Sequence, residues 1–270
     1  MMVRHRSHVG IDWSGGGRAS ESSRGLAVAE ATDENASVVI WHRQRRSRAE
    51  LVEWLASRLR PGEAPVCIGL DFAFGYPQGA MRAVFGASSW RELADRLRRL
   101  FDAHELARDV VRAINGEPKF RGNGPFRSNE DRTNPRFYLD NGVPYYRLVE
   151  TVVPQAISQW YVGSGATVAF STITGLAALG ELLAQRERSE VAFSVHPFET
   201  AQPGTHALVE VYPAIWPKPP GMPVNEHERD ALRAAIGMRR LGASVFALPH
   251  LMDAGSKDRI REEGWIVGVV

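Results

Sequence analysis

Two aspartates in this chain follow short apolar segments. Asp12 comes after HVGI and before the turn WSGGG, and Asp71 ends the segment VCIGLD. Two carboxylates forced together repel each other, and one takes up a proton unless a cation is present. Mg²⁺ accepts carboxylate oxygens while it keeps several waters, and carboxylates also suit Mn²⁺. If the fold brings the two residues together, they are candidates for a divalent metal site.

A purely structural interpretation exists for each aspartate taken alone. An aspartate before a glycine-rich turn commonly hydrogen-bonds its own backbone, which would explain Asp12. The second aspartate, at a matching place in the order of elements, weakens that explanation. Asp71 is followed by the apolar sequence FAFGYP, which is not typical of a surface loop.

The first 75 residues predict three strands, a helix and a fourth strand. Turn-rich sequence separates the strands predicted at 8–13, 24–31 and 36–43, which favours an antiparallel meander. An amphipathic helix begins after Ser47, with Glu50 three positions later as in a capping box, and stops at Pro61-Gly62. The apolar segment 66–70 predicts a buried strand, which should lie parallel to the first because a helix connects them.

The rest of the chain is less regular until its last third. Helices are predicted within 88–114, whereas 115–146 is rich in Gly, Pro, Asn and Arg and has no sustained period. A loop of that length is typically functional or disordered. A strand is predicted over 207–213 and a second capped helix from Asn225 to Gly242. The terminal GWIVGVV predicts either one more strand or a tail packed on the core.

This order of elements is that of the ribonuclease-H-like fold, and several segments also resemble one family. They are HVGIDWSGGG, IGLDFAFGYP, STITGLAALGELL, HPFET, LVEVYP, DALRAAIG and EEGWIVG. Together they resemble the domain of unknown function 429, described as predicted ribonuclease-H-like nucleases. The resemblance implies one α/β domain over 1–270. Its mixed five-stranded sheet has three antiparallel strands followed by parallel strands, with flanking helices and a largely helical insertion at about 76–205.

The resemblance also implies a site. The first and fourth strands would be neighbours, so that Asp12 and Asp71 lie side by side, and the family's third acid matches Glu210 or Asp230. Two Mg²⁺ or Mn²⁺ ions about 4 Å apart would then serve phosphodiester cleavage. In this hypothesis Asp12 bridges the ions, Asp71 and Asp230 each hold one, and Glu210 is a ligand or a base.

Other residues are candidates for contact with a phosphate-containing substrate. Ser14 and the N–H groups after it could cradle a phosphate. Arg121 and Arg127, interleaved with phenylalanines, suit contact with single-stranded nucleic acid, although a mobile surface loop is the default interpretation of such a segment. His227, three residues before Asp230, is more typical of a helix surface than of a ligand or base.

Composition limits the partners without choosing one. The formal net charge of +2 and the pI near 8.8 permit a polyanionic partner but do not require it. The single cysteine, Cys67, excludes an internal disulfide. Residues 162–180 carry no charge, yet nine of them are Gly, Ser or Thr, which predicts a buried segment rather than a membrane span. We therefore expect a soluble, cytoplasmic protein.

Two other function classes stay open. The segment GIDWSGG also resembles the first phosphate loop of actin-like ATPases and small-molecule kinases. However, Asp71 lacks the glycine that directly follows the second acid of those proteins, and 270 residues are few for their two halves. The other class is a non-catalytic binding module that uses the 115–146 loop.

Overall fold

The sheet is organised around two parallel central strands, β1 and β4. The computed structural model describes residues 5–32, 37–41, 44–127, 140–153, 155–163, 168–220, 224–249 and 253–270. Its strands are β1 (Ser7–Asp12), β2 (Ala27–Thr32), β3 (Ser37–Val39), β4 (Val66–Asp71), β5 (Phe193–Val195) and β6 (His206–Glu210), in the order β3-β2-β1-β4-β6-β5. Pairing is antiparallel from β3 to β1 and parallel from β1 to β5.

The predicted mixed α/β sheet is confirmed, but it has six strands rather than five. The additional strand, Phe193–Val195, lies within the segment 76–205 that was predicted to be a largely helical insertion. It adds to the outer edge of β6. Three residues are too few to show an alternating pattern, which is why the sequence did not reveal this strand. The terminal segment is a tail that makes one parallel bridge, from Ile266 to Glu210.

Helices cover both faces of the sheet. Those that lie wholly within the described residues are α1 (Arg48–Arg58), α2 (Ala80–Phe85), α3 (Trp90–Ala103), α4 (Ala107–Asn115), α5 (Leu148–Val152), α6 (Val168–Glu187), α7 (Glu226–Leu241) and α8 (Ala254–Glu263), with 3₁₀ helices at Pro118–Phe120, Pro213–Ile215 and Gly242–Phe246. The capping boxes predicted from Ser47 with Glu50 and from Asn225 are both present. These caps fix where α1 and α7 begin.

One sheet face is built from small residues so that α7 can approach closely. A Cβ atom on Gly10 of β1 would lie 2.1 Å from the Ala231 carbonyl oxygen, so no other residue fits there. Alanines of β2 contact the same helix (Ala27, Ala29 and Ala31). Side chains two residues apart in a strand point to the same face. The Asp12 side chain therefore lies on the face of the sheet that α7 covers, the same face on which α7 approaches Gly10.

The opposite face carries the main hydrophobic core, which includes α6. Ile11, Leu70 and Leu176 of this core are all buried. By length and composition α6 could cross a membrane, but 56% of its apolar window is buried inside the fold. It packs closely on α3, since a Cβ atom on Gly180 would lie 2.5 Å from the Ala94 carbonyl oxygen. From Val168 onwards the segment predicted at 162–180 is thus a core helix, which favours a soluble protein, and residues 164–167 lie outside the described residues.

Candidate active site

Asp12 and Asp71 lie side by side at the ends of β1 and β4. The two residues are direct register partners in the parallel pair. Neighbouring strands are about 4.8 Å apart, and register partners in parallel strands project from the same face. The prediction that the two aspartates meet is confirmed. They lie at the carboxyl ends of parallel strands, the edge where open α/β sheets bind ligands.

The first turn of α7 adds a histidine and a third aspartate. His227 Nδ1 lies 2.8 Å from Asp12 Oδ2, and His227 Nε2 lies 3.8 Å from Glu226 Oε1. Asp230 lines the same cavity one turn further along. Its Oδ1 accepts a hydrogen bond from Arg233 at 3.0 Å. We call Asp12, Asp71 and Asp230 the rim acids.

Burial and neighbouring negative charges raise the pKa values of Asp12 and Asp71. Burial raises the pKa of Asp71 well above its ordinary value of 3.8, and the charges of Asp12, Asp230 and Glu210 raise it further. Burial also raises the pKa of Asp12, against the lowering effect of its hydrogen bond to His227. That same hydrogen bond raises the pKa of His227. Among the described residues Asp71 has no hydrogen-bond or ion-pair partner, so its charge is the least compensated of the three.

Glu210, the remaining predicted acid, belongs to a different environment. Its register partner on β4 is Leu70, so Glu210 projects from the opposite face of the sheet to Asp71. Arg147 donates to both of its oxygens, at 2.8 and 2.5 Å, and the Phe74 N–H donates to Oε2 at 2.9 Å. Both oxygens are therefore occupied, and we exclude Glu210 from the proposed metal ligands.

Arg147 is the centre of a buried network beneath the cavity. Its side chain is 2% exposed, and it also donates to Glu150 Oε1 at 3.0 Å and to the Glu263 carbonyl at 3.0 Å. The Glu263 carboxylate accepts from the backbone N–H groups of Gln78 and Leu148. We call Glu150, Glu210 and Glu263 the floor acids. Their hydrogen bonds join β6, α8 and the segment around Arg147.

The cavity lined by the rim acids and by two of the floor acids, Glu150 and Glu210, has room for a small ligand. Its volume is about 630 Å³, within the range of ligand pockets in proteins. The rim acids form one wall. Apolar side chains form another, among them Trp13, Phe72, Phe170, Ile157 and Ile266. The site therefore combines an acidic, cation-attracting side with an apolar surface for the body of a substrate.

The turn after Asp12 is held from behind by a buried arginine. Arg48 donates to the carbonyl oxygens of Ser14, Gly16 and Gly17 at 3.1, 2.5 and 2.7 Å. A Cβ atom on Gly15 would lie 2.2 Å from the backbone carbon of Phe170, so the turn also lies directly on the start of α6. Ser14 lines the cavity, as its predicted role requires.

The two predicted substrate-binding arginines lie elsewhere. Arg121 is exposed at the end of a 3₁₀ helix, with a φ of 49°. Arg127 forms a backbone bridge with Tyr161, and its side chain contacts Asn123. Neither residue lines the cavity that holds Asp12 and Asp71. Residues 128–139, the rest of the predicted nucleic-acid loop, lie outside the described residues.

Sequence reasoning missed His227 and Arg147. The sequence has a signal for His227 as a site residue, because it lies on the same helix face as Asp230 near a capped N-terminus. A histidine at such a position is nevertheless more typical of a helix surface. Arg147 had no usable signal. It is one of many arginines, and its partner Glu210 is 63 positions away along the chain.

The donor set suits a hard divalent ion, but the structure contains no complete ligand shell. Within the described ranges no group of three or more His, Cys, Asp or Glu side chains is arranged as a ready metal site. The observation in favour of a metal is the partly buried carboxylate of Asp71, which lies beside Asp12 and has no partner among the described residues. Carboxylate oxygens are the ligands that Mg²⁺ and Mn²⁺ prefer. Asp12 and Asp71 could therefore hold one ion directly, with Asp230 the next available carboxylate.

Fold and site together define a mixed α/β protein with a carboxylate-lined cavity at the end of its central parallel strands. Comparisons with protein-family profiles, with curated proteins and with solved structures find no match to this chain.

Proposed function

We propose that this protein is a divalent-metal-dependent phosphodiester hydrolase, a nuclease in the broad sense, with a ribonuclease-H-like arrangement of strands and acids. The observation that carries the proposal is the register pairing of Asp12 with Asp71 at the edge of a cavity. Two partly buried carboxylates at this spacing repel each other, and a cation removes the repulsion. The resemblance to the domain of unknown function 429 supports the same activity.

The proposed ligands are Asp12 and Asp71 for the first ion. A second ion, as the two-ion hypothesis requires, would need Asp230 to exchange its ion pair with Arg233 for a metal contact. When bound, divalent ions lower the pKa of water and stabilise charge on the attacking and leaving oxygens. Mg²⁺ and Mn²⁺ both remain candidates.

His227 is the residue best placed to move a proton. Asp12, when ionised, accepts a hydrogen bond from Nδ1–H, so the other ring nitrogen, Nε2, is left to exchange protons. Its contact with Asp12 also fixes the orientation of the ring. A histidine oriented in this way can serve as a general acid or base for the oxygen that leaves or attacks the phosphorus.

The proposed substrate is a phosphodiester, either in nucleic acid or in a smaller molecule. The apolar wall formed by Trp13, Phe170 and Ile157 would contact the non-phosphate part of that substrate. The site needs no membrane, and we keep the expectation of a cytoplasmic location as part of this proposal.

A cleavage assay with Mn²⁺ tests the proposal. Single-stranded DNA, single-stranded RNA and bis(p-nitrophenyl) phosphate would be offered to the wild type and to Asp12→Asn and Asp71→Asn. Each substitution is expected to lower the rate about a thousandfold, because several kcal/mol of transition-state stabilisation is lost. Asp258→Asn is the matched control, since that carboxylate lies on an exposed surface of α8 and should leave the rate unchanged. Undiminished Mn²⁺-dependent cleavage by both folded site variants would refute the assignment.

The same assay separates the alternatives. In an actin-like phosphate site a glycine would follow the second acid, whereas Asp71 is followed by the buried Phe72. ATP hydrolysis together with an ATP-induced rise in melting temperature, without any effect of nucleic acid, would favour that class. A folded protein that binds neither Mn²⁺ nor Mg²⁺ would favour a non-catalytic binding module.

A further inference from the structure

Arg48 is a buried cation that has no carboxylate within ion-pair distance among the described residues. It is 4% exposed, and its hydrogen bonds go to the three carbonyl oxygens of the turn after Asp12. Burial lowers its pKa to about 10, with a small opposing effect from Glu21. A guanidinium stays protonated at neutral pH. A poorly neutralised positive charge therefore lies directly behind the turn.

The direction of these carbonyls fixes the direction of the neighbouring N–H groups. In a trans peptide the C=O of one residue and the N–H of the next point in opposite directions. With the Ser14 and Gly16 carbonyls directed at Arg48, the N–H groups of Gly15 and Gly17 point away from it. The Arg18 N–H, which is opposed to the Gly17 carbonyl, already donates to the carboxylate of Glu21 at 3.0 Å. The Arg18 N–H is therefore already used within the chain, whereas Ser14, Gly15 and Gly16 line the cavity that holds Asp12.

We propose that the turn Ser14–Gly17, supported by Arg48, binds the phosphoryl group of the substrate. Backbone N–H groups would supply directed hydrogen bonds, as in other anion-binding turns, and the guanidinium would supply a favourable potential from behind. Ser14 lines the same cavity, and its hydroxyl would add a donor. The inference rests on the proposed function, because that function places a phosphoester in this cavity. It identifies Arg48 as a positioning residue that does not itself touch the substrate.

The experiment measures anion binding without catalysis. The Asp71→Asn protein, in EDTA and at low ionic strength, would be titrated calorimetrically with inorganic phosphate and, in a second arm, with dimethyl phosphate. Saturable binding is expected, and preferential binding of one probe tells a monoester-like from a diester-like site. Arg48→Lys should weaken binding about tenfold, since a lysine cannot keep the forked, charge-assisted hydrogen bonds that hold the turn. Arg58→Lys, a change at a partly buried arginine that lies ten residues further along the chain and pairs with Glu30, should have no effect.

A second variant tests the inference even if Arg48→Lys does not fold. Glu21→Gln removes the acid that opposes the charge of Arg48 and competes for the Arg18 N–H, and Glu21 is exposed. It should tighten phosphate binding a few-fold. Absence of saturable binding of either anion, or affinities unchanged by both Arg48→Lys and Glu21→Gln, would overturn the inference.

The outcome is separable from that of the proposed function. Anion binding that responds to Arg48 and Glu21, in a protein without Mn²⁺-dependent cleavage, would support the subsite and reject the hydrolase. Cleavage that depends on Asp12 and Asp71, without anion binding at the turn, would support the hydrolase and reject the subsite.

Discussion

Asp71 of the rim and Glu210 of the floor are carboxylates in different surroundings. The Asp71 side chain is partly buried and has no hydrogen-bond or ion-pair partner among the described residues, and most of the charges around it belong to other carboxylates. Glu210 is more deeply buried, yet it accepts hydrogen bonds from Arg147 and from the Phe74 N–H. Both residues border one cavity.

The difference separates a structural from a functional use of buried charge. A buried ion pair is tolerated when its oxygens are all hydrogen-bonded, and the floor acids meet that condition. Uncompensated carboxylates reduce stability, and they cluster where a protein needs a cation or an unusual pKa. Asp71, the one rim acid without a partner among the described residues, therefore marks the candidate active site, whereas the floor acids hold its surroundings in place.

Removal of Arg147 is expected to have the largest effect on stability. Arg147→Met would leave Glu210 and Glu150 buried without their cation, which should lower the free energy of unfolding by about 3–5 kcal/mol. Urea denaturation followed by circular dichroism measures this change. Arg261→Met removes an exposed pair with Asp258 and should leave the unfolding midpoint unchanged. If Arg147→Met lowers the free energy of unfolding no more than Arg261→Met does, the floor acids do not have the structural role assigned to them.

Addition of Mn²⁺ should stabilise the protein through the rim alone. A ligand at one hundred times its dissociation constant adds about 2.7 kcal/mol to the stability of the state that binds it. The wild type is therefore expected to melt at a higher temperature with Mn²⁺, as measured by scanning calorimetry. Asp71→Asn should lose this response, whereas Glu263→Gln, a floor variant, should keep it. An equal response in the wild type and in Asp71→Asn would place the ion elsewhere.

Substitution of Asp71 by asparagine should stabilise the metal-free protein at neutral pH. It removes a buried, repelled charge, and we expect a gain of about 0.5–2 kcal/mol, the usual size of a stabilising substitution. Because the pKa of Asp71 is raised in the fold, the native state holds its proton more tightly than the unfolded state does. Stability is therefore highest below the ordinary pKa of 3.8 and is lost as the pH rises towards the raised value.

The pH dependence checks the sign of that prediction. Denaturation of both proteins in EDTA at several pH values should show the advantage of Asp71→Asn growing from near pH 4 upwards. An advantage that shrinks as the pH rises would mean that Asp71 is stabilised as a carboxylate, contrary to its described surroundings.

Local sequence was sufficient for the elements that carry the rim acids. The apolar segments before Asp12 and Asp71 predicted β1 and β4, and the connecting helix predicted their parallel arrangement. Capping residues located the start of α7, which carries Asp230. Hydrophobic period and capping chemistry act over a few residues, so a single sequence contains them.

The side of β6 that carries Glu210 follows from the sequence, but its relation to Asp71 does not. Glu210 is two residues after Leu208, a core residue, and so shares its side of the strand. The register between β4 and β6 then decides whether Glu210 and Asp71 project from the same face of the sheet. Because Glu210 pairs with Leu70, the two acids project from opposite faces. A shift of one residue in register reverses the face of every side chain in a strand.

The sequence by itself determined where the buried strands end and that an aspartate stands at the end of each central one. Tertiary structure decided which acids are compensated. Arg147 reaches Glu210, His227 reaches Asp12 and Arg48 reaches the glycine turn, all from distant parts of the chain. The energy of a buried charge depends on the few atoms within hydrogen-bonding distance, and only the folded chain brings those atoms together.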